Sequence, residues 1–335
     1  VISVMLFHLA PEVFTLGFLG VDIFFVISGF VITQKIFQNY EKENRINLLD
    51  FYLKRFKRIV PNLFFIISFI YVFYLIFGPP NLSLFNETIS ALLGISNIYY
   101  TIHDLGYFNN IFDDPLLHTW SLGVEEQFYL FYPFLIFLIF TFKRDKFLKL
   151  QIIFILIFII SAFLFKTALE TDPIIAFYLS PLRFWELIFG GILFLNCHKV
   201  KKNNLISFAS LFIIIFLIFS PFNYDYFYLN LIIVFLSGFF IIFFYESEFI
   251  ENSTFVYFGN ISYSFYLWHL PVLFFLDLYI LNYFYLDIFL SFILTTILSI
   301  ITYTFIEQKF RYLEFKESKK IIIFLTSVFL LILIS

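Results

Sequence analysis

A single cysteine, Cys197, stands in 335 residues. That excludes an internal disulfide and a cysteine-rich metal site. Charge is scarce as well: 13% of residues, against roughly 25% in soluble domains. No tandem repeat or low-complexity linker is visible, and no signal-peptide pattern with a cleavage site is read. One long segment, 78–122, has no lysine or arginine at all.

Apolar residues fill the space that charge leaves. They make up 61% of the chain, with 57 phenylalanines and a mean hydropathy of +0.94. Apolar runs of bilayer-spanning length recur along it, so the solvent is expected to be lipid. Backbone groups in lipid must be satisfied internally, which leaves helices or a closed barrel. The runs lack period-2 alternation, so helices are expected. The richness in Phe, Ile, Tyr and Asn is the habit of an AT-rich, bacterial genome.

The pattern predicts an all-α polytopic membrane bundle of ten to eleven transmembrane helices. The spans are read at 1–9, 17–33, 62–77, 123–141, 150–166, 180–197, 204–220, 229–245, 261–281, 286–306 and 321–335. The first and last read as interrupted spans, so both ends are expected to be truncated. All lysines and arginines except Lys166 and Arg183 fall in 34–61, 142–149, 198–203 and 307–320. Those loops are therefore assigned to the cytoplasm. The segment 84–100, inside the long connection that lacks basic residues, is apolar enough for an interfacial or re-entrant helix.

Charged groups inside a bilayer are costly and are kept for function or for pairing. On this topology His8, Asp22, His118, Glu125 and Arg183 share one depth band in the outer half, which suggests an outward-facing polar chamber. The stretch "LLHTWSLGVEEQFYL", 116–130, contributes His118, Trp120, Ser121, Glu125 and Glu126. Ser121, Glu125 and Tyr129 follow at i, i+4 and i+8, on one helix face, so Glu125 should point into the bundle and Glu126 elsewhere. Alternatively, Glu125 caps the helix or pairs with Arg183, which opens its own span beside Glu186. His8 is either a satisfied core histidine or a base that takes a hydroxyl proton near neutral pH. Asp22 or Glu125 is a candidate to orient it.

In "FYLKRFKRIVP", 51–61, Arg55 and Arg58 lie at i and i+3 with Lys54 alongside. Guanidinium forks suit phosphate oxygens. The competing reading is a basic anchor to anionic lipid. In "SYSFYLWHLP", 262–271, Pro271 frees a carbonyl and bends the helix. Trp268 and His269 then either line a cavity in the inner half of that span or simply pack. Gly20, Ser28 and Gly29 permit close helix contact.

Taken in order, "MLFHL", "GFLGVDIFFVISGFVIT", "FYLKRFKRIVP", "LLHTWSLGVEEQFYLFYP", "SPLRFWELIFGGIL" and "ISYSFYLWHLPV" resemble the acyltransferase 3 family of integral membrane acyltransferases. That family includes O-antigen and other polysaccharide O-acetylases of bacteria. The resemblance implies a membrane domain over 1–320, sited in the inner (plasma) membrane. Acyl-CoA, usually acetyl-CoA, serves as co-substrate from the cytoplasm, with no bound cofactor and no metal. The acceptor is a carbohydrate or lipid-linked glycan at the outer side; nucleic acid is not an expected partner. His8 matches the family's essential histidine, Arg55 and Arg58 its RxxR motif for the CoA phosphates, and Glu125 the acidic residue of its tryptophan–serine–leucine motif. The "LLHTWSLGVEEQFYL" wording is closest to the branch with an extracytoplasmic SGNH-type domain after an eleventh span, here begun by 321–335. Two departures stand out: the family's arginine ahead of the histidine would precede Val1, and the SGNH domain would follow Ser335.

The expected chemistry is acyl transfer to a sugar hydroxyl. His8 acts as general base, which is worth roughly 10²–10⁴ in rate. Arg183 is a candidate for the developing oxyanion, and His118, Trp120, Ser121, Glu186, Trp268 and His269 are candidate pocket residues. The rival readings are a transporter or flippase of a small anion or lipid-linked sugar, and a receptor without chemistry.

Overall fold

The computed structural model describes residues 1–78, 83–103, 107, 114–141, 146–220, 225–245, 251–279 and 284–313. The helices are α1 (Ile2–Leu9), α2 (Gly20–Glu43), α3 (Leu48–Phe77), α4 (Leu84–Leu92), α5 (Ser96–Ile102), α6 (Thr119–Thr141), α7 (Lys146–Thr171) and α8 (Pro173–Tyr178). They continue with α9 (Ser180–Asn196), α10 (Asn204–Ile218), α11 (Tyr226–Phe243), α12 (Ser253–Tyr279), α13 (Phe284–Thr302) and α14 (Gln308–Arg311). Among the described residues there is no strand, and the protein is a polytopic helical bundle.

Short polar side chains fix where several helices begin. Asn47 accepts from the Asp50 amide and starts α3. Asp172 accepts from Ile174 and Ile175, and Asp225 from Phe227. Each satisfies amides that the first turn leaves without intrahelical partners. Asn44 ends α2 in the left-handed region, at φ 53°. The α2–α3 turn is thus only 44–47, and α3 is helical well before residue 62.

Among the described residues, eight helical segments are long and apolar enough to cross a membrane. Two further spans of the sequence reading, 1–9 and 204–220, form the shorter helices α1 and α10. The eleventh, 321–335, lies outside the described residues. In place of one interfacial helix over 84–100 stand α4 and α5, joined at Gly94, whose φ of +67° suits glycine.

At the centre α9 lies along α2, with α7 and α11 around the pair and α12 packed on α1, α3 and α13. Two glycines let α2 and α9 touch backbone to backbone. A methyl group on Gly29 would sit 1.8 Å from the Leu187 carbonyl oxygen, and one on Gly190 would sit 2.1 Å from that of Val26. Such small-residue contacts substitute for a hydrophobic driving force that lipid does not supply. They hold α2 rigid, and α2 carries Asp22 on one side and Ser28 on the other.

Candidate active site

A cavity of about 450 Å³ opens between α2, α3, α6 and α12. That is within the usual range for a small-molecule site. Its polar lining includes Ser28, Arg55, Arg58, Ser121, Glu125 and Tyr266. Glu126 also borders it, contrary to the expectation that it points elsewhere.

Arg55 and Glu125 meet here. An Arg55 Nη lies 3.5 Å from Glu125 Oε1, and the guanidinium carbon stands 3.7 Å from the Tyr129 ring centroid. That is cation–π distance. The same carboxylate oxygen accepts from the Ser28 and Tyr129 hydroxyls. The i, i+4, i+8 face read from the sequence is therefore the face that lines the cavity. Arg55 Nε is buried without a hydrogen-bond partner. Arg58 lies within electrostatic reach of Arg55, Glu125, Glu307 and Arg311.

The sequence pattern puts Arg55 and Arg58 at the inner surface, remote from Glu125. The structure corrects the depth. The Tyr52 hydroxyl donates to the Leu130 carbonyl at 2.7 Å, which sets the register of α3 on α6. At a rise of about 1.5 Å per residue, Glu125 lies about 24 Å along α6 from its basic end. Arg55 shares that level because α3 already runs beside α6 in its first turns. Lys54 does not join it: Lys54 is 65% exposed and pairs with Asp50 at 2.6 Å.

Beyond the cavity wall formed by Ser121 and Tyr266 sit three buried histidines. The Tyr266 hydroxyl donates to the His118 carbonyl at 2.8 Å and stands 2.6 Å from Ser121 Oγ. The His118 and His269 ring centroids are 5.0 Å apart, and those of His8 and His269 are 5.5 Å apart. His8 Nε2 lies 3.0 Å from the Tyr107 hydroxyl. The Leu267 carbonyl, which Pro271 deprives of its in-helix donor, faces the His118 ring.

The sequence pattern puts His269 in the inner half of its span. α12 begins at Ser253 rather than at 261, which puts His269 past the helix midpoint, beside His8. Trp268 points the other way, to Thr302 Oγ1 at 3.3 Å and the Phe69 ring. Of that expected pair, only His269 approaches the cavity.

Asp22 does not orient His8. It is paired with Arg183, and Arg183 Nη1 lies 3.3 Å from Glu186. The Tyr226 hydroxyl and the Asn230 amide complete the group. Phe25, Trp120, Phe165 and Phe177 surround the guanidinium, with ring centroids at 5.1–5.9 Å. Both Nη groups are engaged and the residue does not line the cavity, so an oxyanion role has no geometry here. Glu125 pairs with Arg55, not with Arg183.

Sequence reasoning misses Tyr266, Tyr107 and a buried cluster of Asn62, Ser264 and Glu307. Tyr266 is accessible to it, since it lies at i−3 from His269 on one helix face. Glu307 falls in a segment that the charge pattern assigns to a cytoplasmic loop. A π-helical turn over Tyr303–Glu307 instead buries it, with Ser264 Oγ at 3.1 Å. Tyr107 gives no local signal. Among the described residues, no three His, Cys, Asp or Glu side chains are arranged to hold a metal ion.

This constellation can be set against known proteins. A family model described as an acyltransferase domain, that of acyltransferase 3, matches residues 1–304. The chain belongs to that family. O-acetyltransferase OatA of Staphylococcus aureus strain NCTC 8325 is 31% identical to this acyltransferase domain over 349 residues. That alignment takes in 94% of the chain and 56% of OatA. A putative O-acetyltransferase of strain COL, SACOL0978, is 32% identical over 342 residues, covering 93% of the chain and 55% of its own length. The acyltransferase 3 chain thus spans about half the length of these curated relatives. No solved structure matches it.

Proposed function

We propose that this protein is a membrane O-acyltransferase of the bacterial plasma membrane. It moves an acyl group, acetyl in the first instance, from acyl-CoA to a hydroxyl of a cell-surface carbohydrate. The observation that carries the reading is the cavity itself. Arg55 and Arg58 border a space whose far wall, Ser121 and Tyr266, abuts the buried histidines. Family membership, and relatives named as O-acetyltransferases, support the same chemistry.

The two arginines fit the phosphates of the donor as forks rather than point charges. Arg55 is held by Tyr129 and Glu125, which fixes its guanidinium at the cavity wall. The acyl end of the donor then lies toward Ser121 and Tyr266. His8 takes the proton of the attacking hydroxyl. The carboxylate of Glu125 acts on Arg55, holding the phosphate clamp in place, and not on His8.

The test supplies membranes containing the full-length protein with labelled acetyl-CoA and a lipid-linked or polymeric glycan. Base-labile label should appear on the glycan and vanish in His8→Ala with the protein still in the membrane. Uptake of a small anion or glycan by proteoliposomes, with no ester formed, would replace this reading by the transporter.

A further inference from the structure

His8 is fully buried, and an imidazolium formed on it in a dry site needs a hydrogen-bond partner. Among the described residues its ring meets Phe7, Tyr107 and His269, whereas Asp22 and Glu125 are engaged by Arg183 and Arg55. Among these ring neighbours, the group able to take a proton from it is another imidazole, that of His269.

The tautomer of that imidazole follows from its bonding. His269 Nδ1 lies 2.5 Å from the Tyr266 carbonyl oxygen of its own helix. A carbonyl only accepts, so Nδ1 carries the hydrogen and Nε2 holds the lone pair. Nε2 is buried with no partner, and so is Nδ1 of His8. Two side chains with ring centroids 5.5 Å apart each leave one nitrogen free, an arrangement that costs free energy unless it is used. His269 also lies on the cavity side of His8, since its ring stands 5.2 Å from that of Tyr266, which lines the cavity.

We propose that His269 is the proton-relay partner of His8. This rests on the acyl-transfer reading for its substrates. The hydroxyl oxygen bonds to the acyl carbon and its proton passes to His8. The C–S bond breaks, and the proton moves through His269 Nε2 to the leaving thiolate in the cavity. Both histidines end as they began, and the products are the ester and free CoA thiol. The groups facing the pair are Tyr107 on the His8 side, and His118 and Tyr266 on the His269 side. His269 is thus a catalytic residue of the proposal: it takes the proton from His8 and gives it to the leaving thiolate.

Two measurements on the full-length protein decide it. In the transfer assay, His269→Gln should lower kcat by about 10²-fold while the KM for acetyl-CoA stays within about threefold. The pH–rate limb should move, and imidazole should restore part of the rate of His269→Ala. In ¹⁵N-histidine spectra, which need no turnover, His269 should show the Nδ1–H tautomer and the His8 ring should titrate at a different pH in His269→Gln. An unchanged His8 titration, or an unchanged pH–rate limb, overturns the relay. A shifted titration in a protein that transfers no acyl group would sustain the pairing and refute the acyltransferase reading instead.

Discussion

Arg55 and Glu125 form an ion pair across α3 and α6, 3.5 Å apart, in side chains 17% and 4% exposed. Both residues line the cavity between α2, α3, α6 and α12. The arginine is therefore a fixed part of the cavity and not a loose anchor to lipid headgroups, and its charge is only partly screened by solvent.

Removing one partner of such a pair strands the other. Arg55→Met should destabilise the protein in detergent, because the Glu125 carboxylate keeps only neutral donors. For a fully buried pair that loss is about 3–5 kcal/mol, and less is expected here because Arg55 is partly exposed. The double variant Arg55→Met/Glu125→Gln should recover much of it. Thermal unfolding of the four proteins forms the cycle. Additive losses would mean that the two side chains do not interact.

How far this pair is legible in the sequence shows where such reading reaches its limit. The 3.6-residue period puts Ser121, Glu125 and Tyr129 on one face, and that face does line the cavity. The span boundaries fail because hydropathy marks where charge stops, not where a helix starts. Asn47 starts α3 at Leu48, so a charged segment that reads as loop descends beside α6. The same error displaces His269 and Glu307. Contacts among separate helices, such as His8 with His269 or Asp22 with Arg183, leave no trace in local spacing.

The Asp22–Arg183–Glu186 group gives an asymmetric expectation. Arg183→Met leaves two carboxyl groups facing each other among aromatic rings, and little folded protein should accumulate. Asp22→Asn keeps the Glu186 partner, so its loss should be clearly smaller and transfer should persist. Yield after purification and the thermal midpoint separate the two. If Asp22→Asn stayed as stable as wild type but lost all transfer, Asp22 would belong to the chemistry after all.

The backbone contact of α2 with α9 predicts opposite effects of one substitution at two glycines. Gly190→Ala places a methyl group against the Val26 carbonyl and should cost about 1–3 kcal/mol, the usual range for overpacking. Gly259 lies within α12, and a methyl group added there would meet nothing inside 4 Å. Gly259→Ala should stabilise by about 0.5–1 kcal/mol through lost backbone freedom. Midpoints of thermal unfolding in the same detergent would show the two shifts with opposite signs.

Outside the membrane-spanning segments, Glu87 of α4 is buried against Asp114. Burial, and then the neighbouring Asp114 charge, push its carboxyl up to about 8 from the ordinary 4.5. The folded protein thus holds a proton that the unfolded chain has released between those values. Its stabilising contribution is full below about 4.5 and is lost as pH rises through about 8. The thermal midpoint should therefore fall over that interval, and Glu87→Gln, which is neutral throughout, should flatten the slope. Ser83 Oγ donates to the Glu87 carboxyl, and a glutamine oxygen can accept the same bond, so the variant changes the titration more than the packing. An identical slope in Glu87→Gln would show that the pH dependence originates elsewhere.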